Sequence, residues 1–269
     1  MLKVCAGIVT LNPDINRLVS NIDAIRYQVE KVFVFDNGSL DIEVWKKEIP
    51  NVKEIYFIEN KKNIGIAAAL NSLCERVKSE GYSWCITLDQ DSVCPKGIIE
   101  EFLQNISSNV AIIAPNVVYR NNEKYKMRGV GVERVEWVIT SASCMNLDIW
   151  EKIKFDESLF IDGVDRDYCI RANRSGYVVL KDYNVELIHE LGNLKCKKLF
   201  DRVVYVTYHS DFRKYYMARN AIYLDFKLNE DRGKKIVLKL LIKTLVYEKS
   251  LKGIIAIFKG INDGRKMTR

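Results

Sequence analysis

Two pairs of aspartates stand one residue apart in this chain, Asp89/Asp91 in ITLDQDS and Asp165/Asp167 in VDRDYCIRA. Carboxylates this close repel each other, so such a pair is easiest to keep where positive charge comes to meet it. Their hard oxygens suit Mg²⁺ or Mn²⁺, ions that keep positions open for phosphate oxygens. Asp89 and Asp91 end an apolar run, where a strand would leave its sheet, and they read as ligands of an ion carrying a nucleotide diphosphate. The plainer reading is a strand-end turn with an N-cap for the next helix. Asp165 and Asp167 open a helix, where acids favour the macrodipole. Asp162 nearby and the apolar lead-in SLF make Asp165 a candidate general base as well, since apolar surroundings make a carboxylate a better base. His189, one of two histidines, becomes a metal-ligand candidate only beside aspartates. His209, next to Tyr208 and Asp211, is read as structural.

The elements that must position these groups follow from the apolar pattern. Residues 3–10 form a branched-rich run, a first strand, and Asn12 reads as the N-cap of a helix with Pro13 at its first position. Ile15, Leu18, Ile22 and Ile25 then recur at helical spacing to about Gln28. KVFVFDNGS predicts a second strand ending in a turn at residues 36–39, and EIYFIEN a third. NIGIAAALNSLCERVKSEG predicts a helix entered at Gly65 and closed at Gly81, and YSWCITLDQD a fourth strand. This alternation calls for the α/β class, with a mostly parallel sheet flanked by helices. In such sheets, ligands bind beyond the carboxyl ends of the strands. Three of those ends are polar: Thr10/Asn12, Asp36/Asn37 and Asp89/Asp91. Further on, VAIIAPNVV reads as a strand, and WVITSASCMNLDIWEKI as strand, turn and helix. FDESLFIDGVDRDYCIRANRSGYVVL reads as an acid-rich loop, a helix and a strand. FRKYYMARNAIYL is helical, with Arg213, Tyr216 and Asn220 at i, i+3 and i+7.

The 269 residues, 48% hydrophobic and 29% charged, suit one α/β domain with an appendage. MLKVCAGIVTLN has no basic segment, apolar core and cleavage site, so no signal peptide is expected. Seven scattered cysteines without a C-x-x-C pair read as buried thiols of a reducing, cytoplasmic compartment and argue against structural zinc. The formal charge of +7 is uneven. From Arg232 to Arg269, eleven Lys/Arg face Glu248 and Asp263, a local net of +9 that leaves about −2 for residues 1–231. Such a tail meets an anionic surface or forms a solvated helix face. Within it, KKIVLKLLIKTLVYEKSLKGIIAIF is too interrupted to span a membrane. Lys235, Lys239 and Lys243 fall on one helical face, with Val237, Leu238, Leu241, Ile242 and Leu245 covering much of the rest. A helix of this kind lies in a bilayer interface or packs on the protein's own core, and both readings stay open. The organisation expected is a catalytic domain over 1–225 and a basic, amphipathic helical extension over 226–269.

The ordered set IVTLN, VFDNGS, NKKNIGIAAALN, TLDQDS, FDESLFIDGVDRDYCIRA, IHELG and RKYYMARN resembles the family 2 glycosyltransferases of the GT-A fold. Within that family it is most similar to the bacterial rhamnosyltransferase branch that builds O-antigen and capsule, and FKGINDGRKM resembles that branch's end. The resemblance covers roughly residues 3–225. It implies that Thr10 and Asn12 line a nucleotide-sugar pocket and that Asp36 bonds the base or its ribose. Asn63 and Gly65 would let the chain approach the nucleotide, Asp89 would reach the ribose or the metal, and Asp91 and His189 would bind Mg²⁺ or Mn²⁺. Asp165 matches the family's catalytic base. Ser141, Asp162, Arg213, Tyr216 and Arg219 would face the diphosphate or the acceptor. Two departures stand out: Ala142 follows Ser141 where the family usually has glycine, a methyl group that would narrow the acceptor pocket, and Val164 precedes Asp165 where many relatives carry Glu.

The activity implied is inverting, metal-dependent transfer of a sugar, L-rhamnose from dTDP-rhamnose, to a polyprenyl-diphosphate-linked saccharide at the inner leaflet of the bacterial plasma membrane. A galactosyl, glucosyl or N-acetylhexosaminyl donor carried on UDP is the alternative. Oligomeric state stays open, a homodimer included. A nucleic-acid-binding protein would leave the strand-end acids unexplained, since acids repel phosphate unless loaded with metal. A dinucleotide oxidoreductase lacks its G-x-G-x-x-G, with GIVTLNPD in that place. A nucleotidyltransferase would want cations after the first strand, where TLNPDIN has none before Arg17. A non-catalytic scaffold would have no use for the base, metal and nucleotide positions that are filled here.

Overall fold

The computed structural model describes residues 3–50, 52–119, 129–189, 194–199 and 202–268. Their elements run β1 (Val4–Thr10), α1 (Ile15–Ile25), β2 (Val32–Asp36), α2 (Ile42–Trp45), β3 (Ile55–Glu59), α3 (Ile66–Ser79), β4 (Trp84–Asp89), α4 (Ile98–Asn105) and β5 (Val110–Tyr119). There follow β6 (Val132–Arg134), β7 (Ser143–Asn146), α5 (Leu147–Ile153), α6 (Val164–Arg174), β8 (Val178–His189), β9 (Leu194–Leu199) and β10 (Arg202–Thr207). The chain closes with α7 (Asp211–Leu228), α8 (Arg232–Lys243) and α9 (Leu251–Lys266). Two compact units result: residues 1–158 with 168–189, and residues 159–167 with 190–269.

In the first unit the described strands form an eight-stranded sheet in the order β3-β2-β1-β4-β7-β5-β8-β6. Its pairings β3/β2, β2/β1, β1/β4 and β5/β8 are parallel, whereas β7 lies antiparallel to both β4 and β5. Strands β1 and β2 are buried at every residue, as strands covered on both faces are. Ile8, Ile22, Val34, Ile86 and Ile113 belong to one core cluster. Burying each such side chain contributes about 1.5–3 kcal/mol. The expected first helix is present but starts later: its N-cap is Asp14, whose carboxylate accepts from the Arg17 N–H, and not Asn12. Asn12 has a left-handed φ of 46° and is occupied elsewhere, as described below.

In the second unit α7, α8 and α9 enclose Ala218, Ala221, Val237, Leu240 and Ile257. Helices α7 and α9 approach closely because Gly260 and Gly264 carry no Cβ. A methyl group on Gly260 would stand 2.3 Å from the Tyr215 carbonyl oxygen, and one on Gly264 would stand 2.4 Å from that of Arg219. The basic tail, expected as one amphipathic helix, is two. After α8 the backbone widens into a π-turn over 244–248, Lys249 takes a left-handed φ of 51°, and Ser250 caps α9 by accepting from the Gly253 N–H. No helix among the described residues is long and apolar enough to cross a membrane. Replacing Gly260 with Val should lower the denaturant-measured stability of this unit by about 2 kcal/mol or more, because the added carbons have nowhere to go against backbone. An unchanged urea midpoint would mean that the helices are free to separate.

Candidate functional site

Parallel pairing brings the carboxyl ends of β1, β2 and β4 to one edge of the first unit. Thr10 stands opposite Asp36, and Val9 opposite Asp89. Where these strands stop, their backbone groups are met by side chains. Asp36 is 1% exposed. Its carboxylate accepts from the Gly38 and Ser39 N–H groups at 3.1 and 2.9 Å, from the Thr10 hydroxyl at 3.3 Å and from the Ser39 hydroxyl. Both oxygens are thus engaged in the turn. In this arrangement the carboxylate fixes the wall of the edge. The exposed Asn12 bridges the first two strand ends, its N–H donating to Ser39 Oγ (2.7 Å) and its Oδ1 accepting from the Leu40 N–H (3.0 Å).

Asn63 and Gly65 join this edge through Asn37. The Asn37 amide donates to Asn63 Oδ1 (3.1 Å) and to the Gly65 carbonyl (3.4 Å), and its Oδ1 accepts from the Ile64 N–H (3.1 Å). Gly38, at φ 90°, makes the approach possible, since a Cβ there would stand 2.6 Å from the Lys62 backbone. The segment after β4 is held from three sides. Gln90 Oε1 accepts from the Leu11 N–H (2.8 Å), Asn21 donates to the Asp89 carbonyl (2.8 Å), and the Asp89 N–H donates to the buried Ser141 hydroxyl (3.1 Å). Ser141 in turn donates to Ser92 Oγ (2.7 Å). With the backbone pinned, the side chains of Asp89 and Asp91 are exposed. Ala142, the departure from the family pattern, has a φ of 56° and is fully buried.

The remaining candidates lie in the second unit. Asp165 is half-buried in the first turn of α6, whereas Asp167 is fully buried and its Oδ1 lies 2.7 Å from Lys227 Nζ. Arg213 grips Asp162 with Nε and Nη2 (2.9–3.3 Å). Tyr216 stacks on Phe160, with ring centroids 5.1 Å apart, and carries the Arg219 guanidinium over its ring, 4.6 Å from the centroid. Arg219 Nε also donates to Asn220 Oδ1 (2.8 Å). Residues expected to face a diphosphate or acceptor therefore have protein partners. Beside them, Gly163, Met217, Asn220, Ala221, Leu224 and Ile236 line a mainly apolar cavity of about 190 Å³.

The glycosyl transferase family 2 model matches residues 6–174, from β1 through the end of α6. The chain belongs to glycosyl transferase family 2. It is a glycosyltransferase, an enzyme that binds a nucleotide-sugar donor and an acceptor. The chain is 27% identical over 244 residues to the dTDP-rhamnosyl transferase RfbF of Shigella flexneri, covering 82% of this chain and 79% of that protein. Its fold is similar to that of S. aureus TarS 1–349 (TM-score 0.51, 13% identity, 99% and 81% of the two chains). It is also similar to glucosyl-3-phosphoglycerate synthase of Mycobacterium tuberculosis (TM-score 0.52, 12% identity, 86% and 81%). These neighbours share the GT-A fold.

For this glycosyltransferase a divalent ion is tested by its donor set. Asp89 and Asp91 supply exposed hard oxygens at the strand exit, but no group of three His, Cys, Asp or Glu comes together among the described residues. The pairing of Asp91 with His189 is not seen, because the His189 side chain lies outside the described residues. The arrangement suits an ion such as Mg²⁺ held by one or two carboxylates and completed by substrate phosphates. Gln90, Asn21 and Ser92 were absent from the sequence-derived set; the run of polar residues after β4 hinted at Gln90 and Ser92, whereas Asn21 lies within α1. Six cysteines are free and buried, and burial pushes the Cys94 thiol up to about 12, which leaves it unreactive. Asp36→Asn should cost about 2–4 kcal/mol in a urea titration, since an amide faces N–H and O–H donors that then lack acceptors. A loss below about 1 kcal/mol would return Asp36 to a role in ligand contact.

Proposed function

We propose that this glycosyltransferase moves L-rhamnose from dTDP-rhamnose, with inversion, to a polyprenyl-diphosphate-linked saccharide in bacterial surface polysaccharide synthesis, O-antigen or capsule. The observation that carries the reading is the edge built by the ends of β1, β2 and β4, in a chain similar over most of its length to a dTDP-rhamnosyl transferase. Thr10, Asn12, Asn63, Gly65 and Asp89 line the donor site, on a wall that Asp36 holds in shape. Mg²⁺ or Mn²⁺ would be held by Asp91, with Asp89 and His189 as its neighbours, and would offset charge on the departing diphosphate. Asp165 is the general base that takes the proton from the attacking acceptor hydroxyl. Its neighbour Asp167 is fully buried beside Lys227, whereas Asp165 is half-buried and within reach of solvent. Ser141, Asp162, Arg213, Tyr216 and Arg219 shape the diphosphate and acceptor side.

The C-terminal helices fit work at the cytoplasmic face of the plasma membrane. One face of α8 and α9 packs inward through Val237, Leu240 and Ile257. The opposite stripe, Leu238, Ile242, Leu245, Leu251, Ile255 and Phe258, is at least half exposed at every position. Lys235, Lys239, Lys252 and Lys259 lie exposed beside it. Lys243 does not, being drawn to Thr207 Oγ1 (3.4 Å) and toward Glu248. An apolar stripe fringed by ammonium groups matches an anionic lipid surface.

Thermal-shift measurements with Mn²⁺ or EDTA should give a metal-dependent rise with dTDP-rhamnose that exceeds those with UDP- and GDP-sugars. A larger shift with a UDP-sugar would change the donor and keep the enzyme class. Asp165→Asn should retain the donor-induced shift but lose at least a hundredfold in dTDP release with acceptor-bearing membranes, and turnover at the wild-type rate would remove Asp165 as the base. Leu245→Glu with Phe258→Glu should abolish sedimentation with anionic vesicles, whereas unchanged sedimentation would place membrane contact elsewhere.

A further inference from the structure

The segment that carries Asp165 is not held by its own turn alone. Asp162 and Gly163, immediately before α6, both adopt left-handed backbone, with φ 66° and 85°. For a non-glycine residue such as Asp162 this costs about 1 kcal/mol and persists only where the surroundings impose it. What imposes it lies along one stripe of α7, at residues 213, 220, 224 and 227, which recur on a single helical face. Arg213 holds the Asp162 carboxylate through two nitrogens. Asn220, 2% exposed, donates both hydrogens of its amide to the main chain, at 2.7 Å to the Ile161 carbonyl and 2.8 Å to that of Asp162. Leu224 fills the space under Gly163, where a Cβ would meet it at 2.8 Å. Lys227 reaches the buried Asp167, and Glu230, just past the helix, pairs with Arg166.

We infer that α7 is the positioning body for the base: Asn220 and Lys227 bracket Asp165 from either side and fix where its carboxylate stands, touching neither donor nor acceptor. The inference rests on the reading of Asp165 as the base. Misplacing a catalytic group by about 1 Å costs roughly a hundredfold in rate. Loss of either clamp therefore acts on turnover and leaves the donor contacts of Thr10, Asn12, Asn63, Gly65 and Asp89 intact. A helical unit needed only to anchor the protein would have no such effect.

The test measures dTDP release from dTDP-rhamnose with Mn²⁺ and acceptor-bearing membranes, together with donor KM and the donor-induced thermal shift. Asn220→Ala should lower kcat by about 10- to 100-fold at unchanged donor KM and unchanged shift. Lys227→Met should do the same, and Lys227→Arg, which keeps the pair with Asp167, should restore most of kcat. Should Asn220→Ala fail to fold, the Lys227 pair decides alone. A kcat within twofold of wild type in folded Asn220→Ala or Lys227→Met overturns the inference, as does a parallel loss of kcat and donor affinity. Asp165→Asn separates the two ideas. If it is inactive while the clamp variants are unaffected, only the positioning role falls; if it turns over normally, the base reading falls and the positioning role with it.

Discussion

The constraint on which the donor side of this enzyme depends is that strands of a buried parallel sheet must stop somewhere without stranding their backbone donors. Each buried N–H left without a partner costs about 1–3 kcal/mol. At the ends of β1, β2 and β4 the donors of Leu11, Asn12, Gly38, Ser39 and Asp89 are met by Gln90, Ser39, Asp36, Asp36 and Ser141 respectively. Gln90, Ser39 and Ser141 come from segments far from the donors they meet, so those bonds also tie separate parts of the edge together, while Asp36 closes its own turn. The result is a rim whose backbone is determined before any substrate arrives. On it Asp89 and Asp91 stand exposed, in the one chemical form that phosphate could not approach without a cation between.

The two aspartates of the second pair occupy different environments within a single helix turn. Asp167 lies fully buried, and an ionised carboxylate there is tolerable only because Lys227 neutralises it. Asp165, two residues earlier and so about 200° around the helix, stays half-buried. A spacing that looks symmetrical in sequence becomes asymmetrical once one member is committed to an ion pair. Ala142 is a smaller case of the same competition. Its left-handed backbone costs about 1 kcal/mol, while burying its methyl group returns about 0.8 kcal/mol. Alanine is therefore nearly as good as glycine at this position for stability.

Strands β1 to β4 and helix α3 were legible because their signals are local: branched apolar runs, turn residues at their ends and a 3.6-residue period. The same patterns exposed the polar strand ends and hence the edge. What escaped was whatever depends on a partner distant in sequence. Asn12 has the right identity for a helix cap, yet it is used by Leu40 and Ser39 some 28 residues away, and Asp14 takes the cap. Gln90 sits between two acids and draws no notice until its partner Leu11, 79 residues earlier, is beside it. Antiparallel β7, inserted between β4 and β5, and β6, antiparallel to β8 at the edge, break the parallel order that βαβ alternation alone would give. Arg213, Tyr216 and Asn220 were visible as a helical stripe, but spacing says only that they share a face, not that this face is turned to residues 160–167.

The C-terminal helices resolve a choice that composition could only pose. A helix apolar nearly all round is usually buried, and one with lysines every four residues is usually exposed. Helix α8 is both: Val237 and Leu240 face α7 and α9, while Leu238 and Ile242 face outward beside Lys235 and Lys239. Packing on the protein therefore uses only one face of this segment and leaves the outer apolar stripe exposed. The break at Lys249 and Ser250 matters here. One straight helix drifts its apolar stripe around the axis, whereas a restart lets α9 present Leu251, Ile255 and Phe258 independently while Gly260 and Gly264 press against α7. That inward contact is made with the same α7 whose Asn220 holds the main chain just before α6, so both of these helices are packed directly on it.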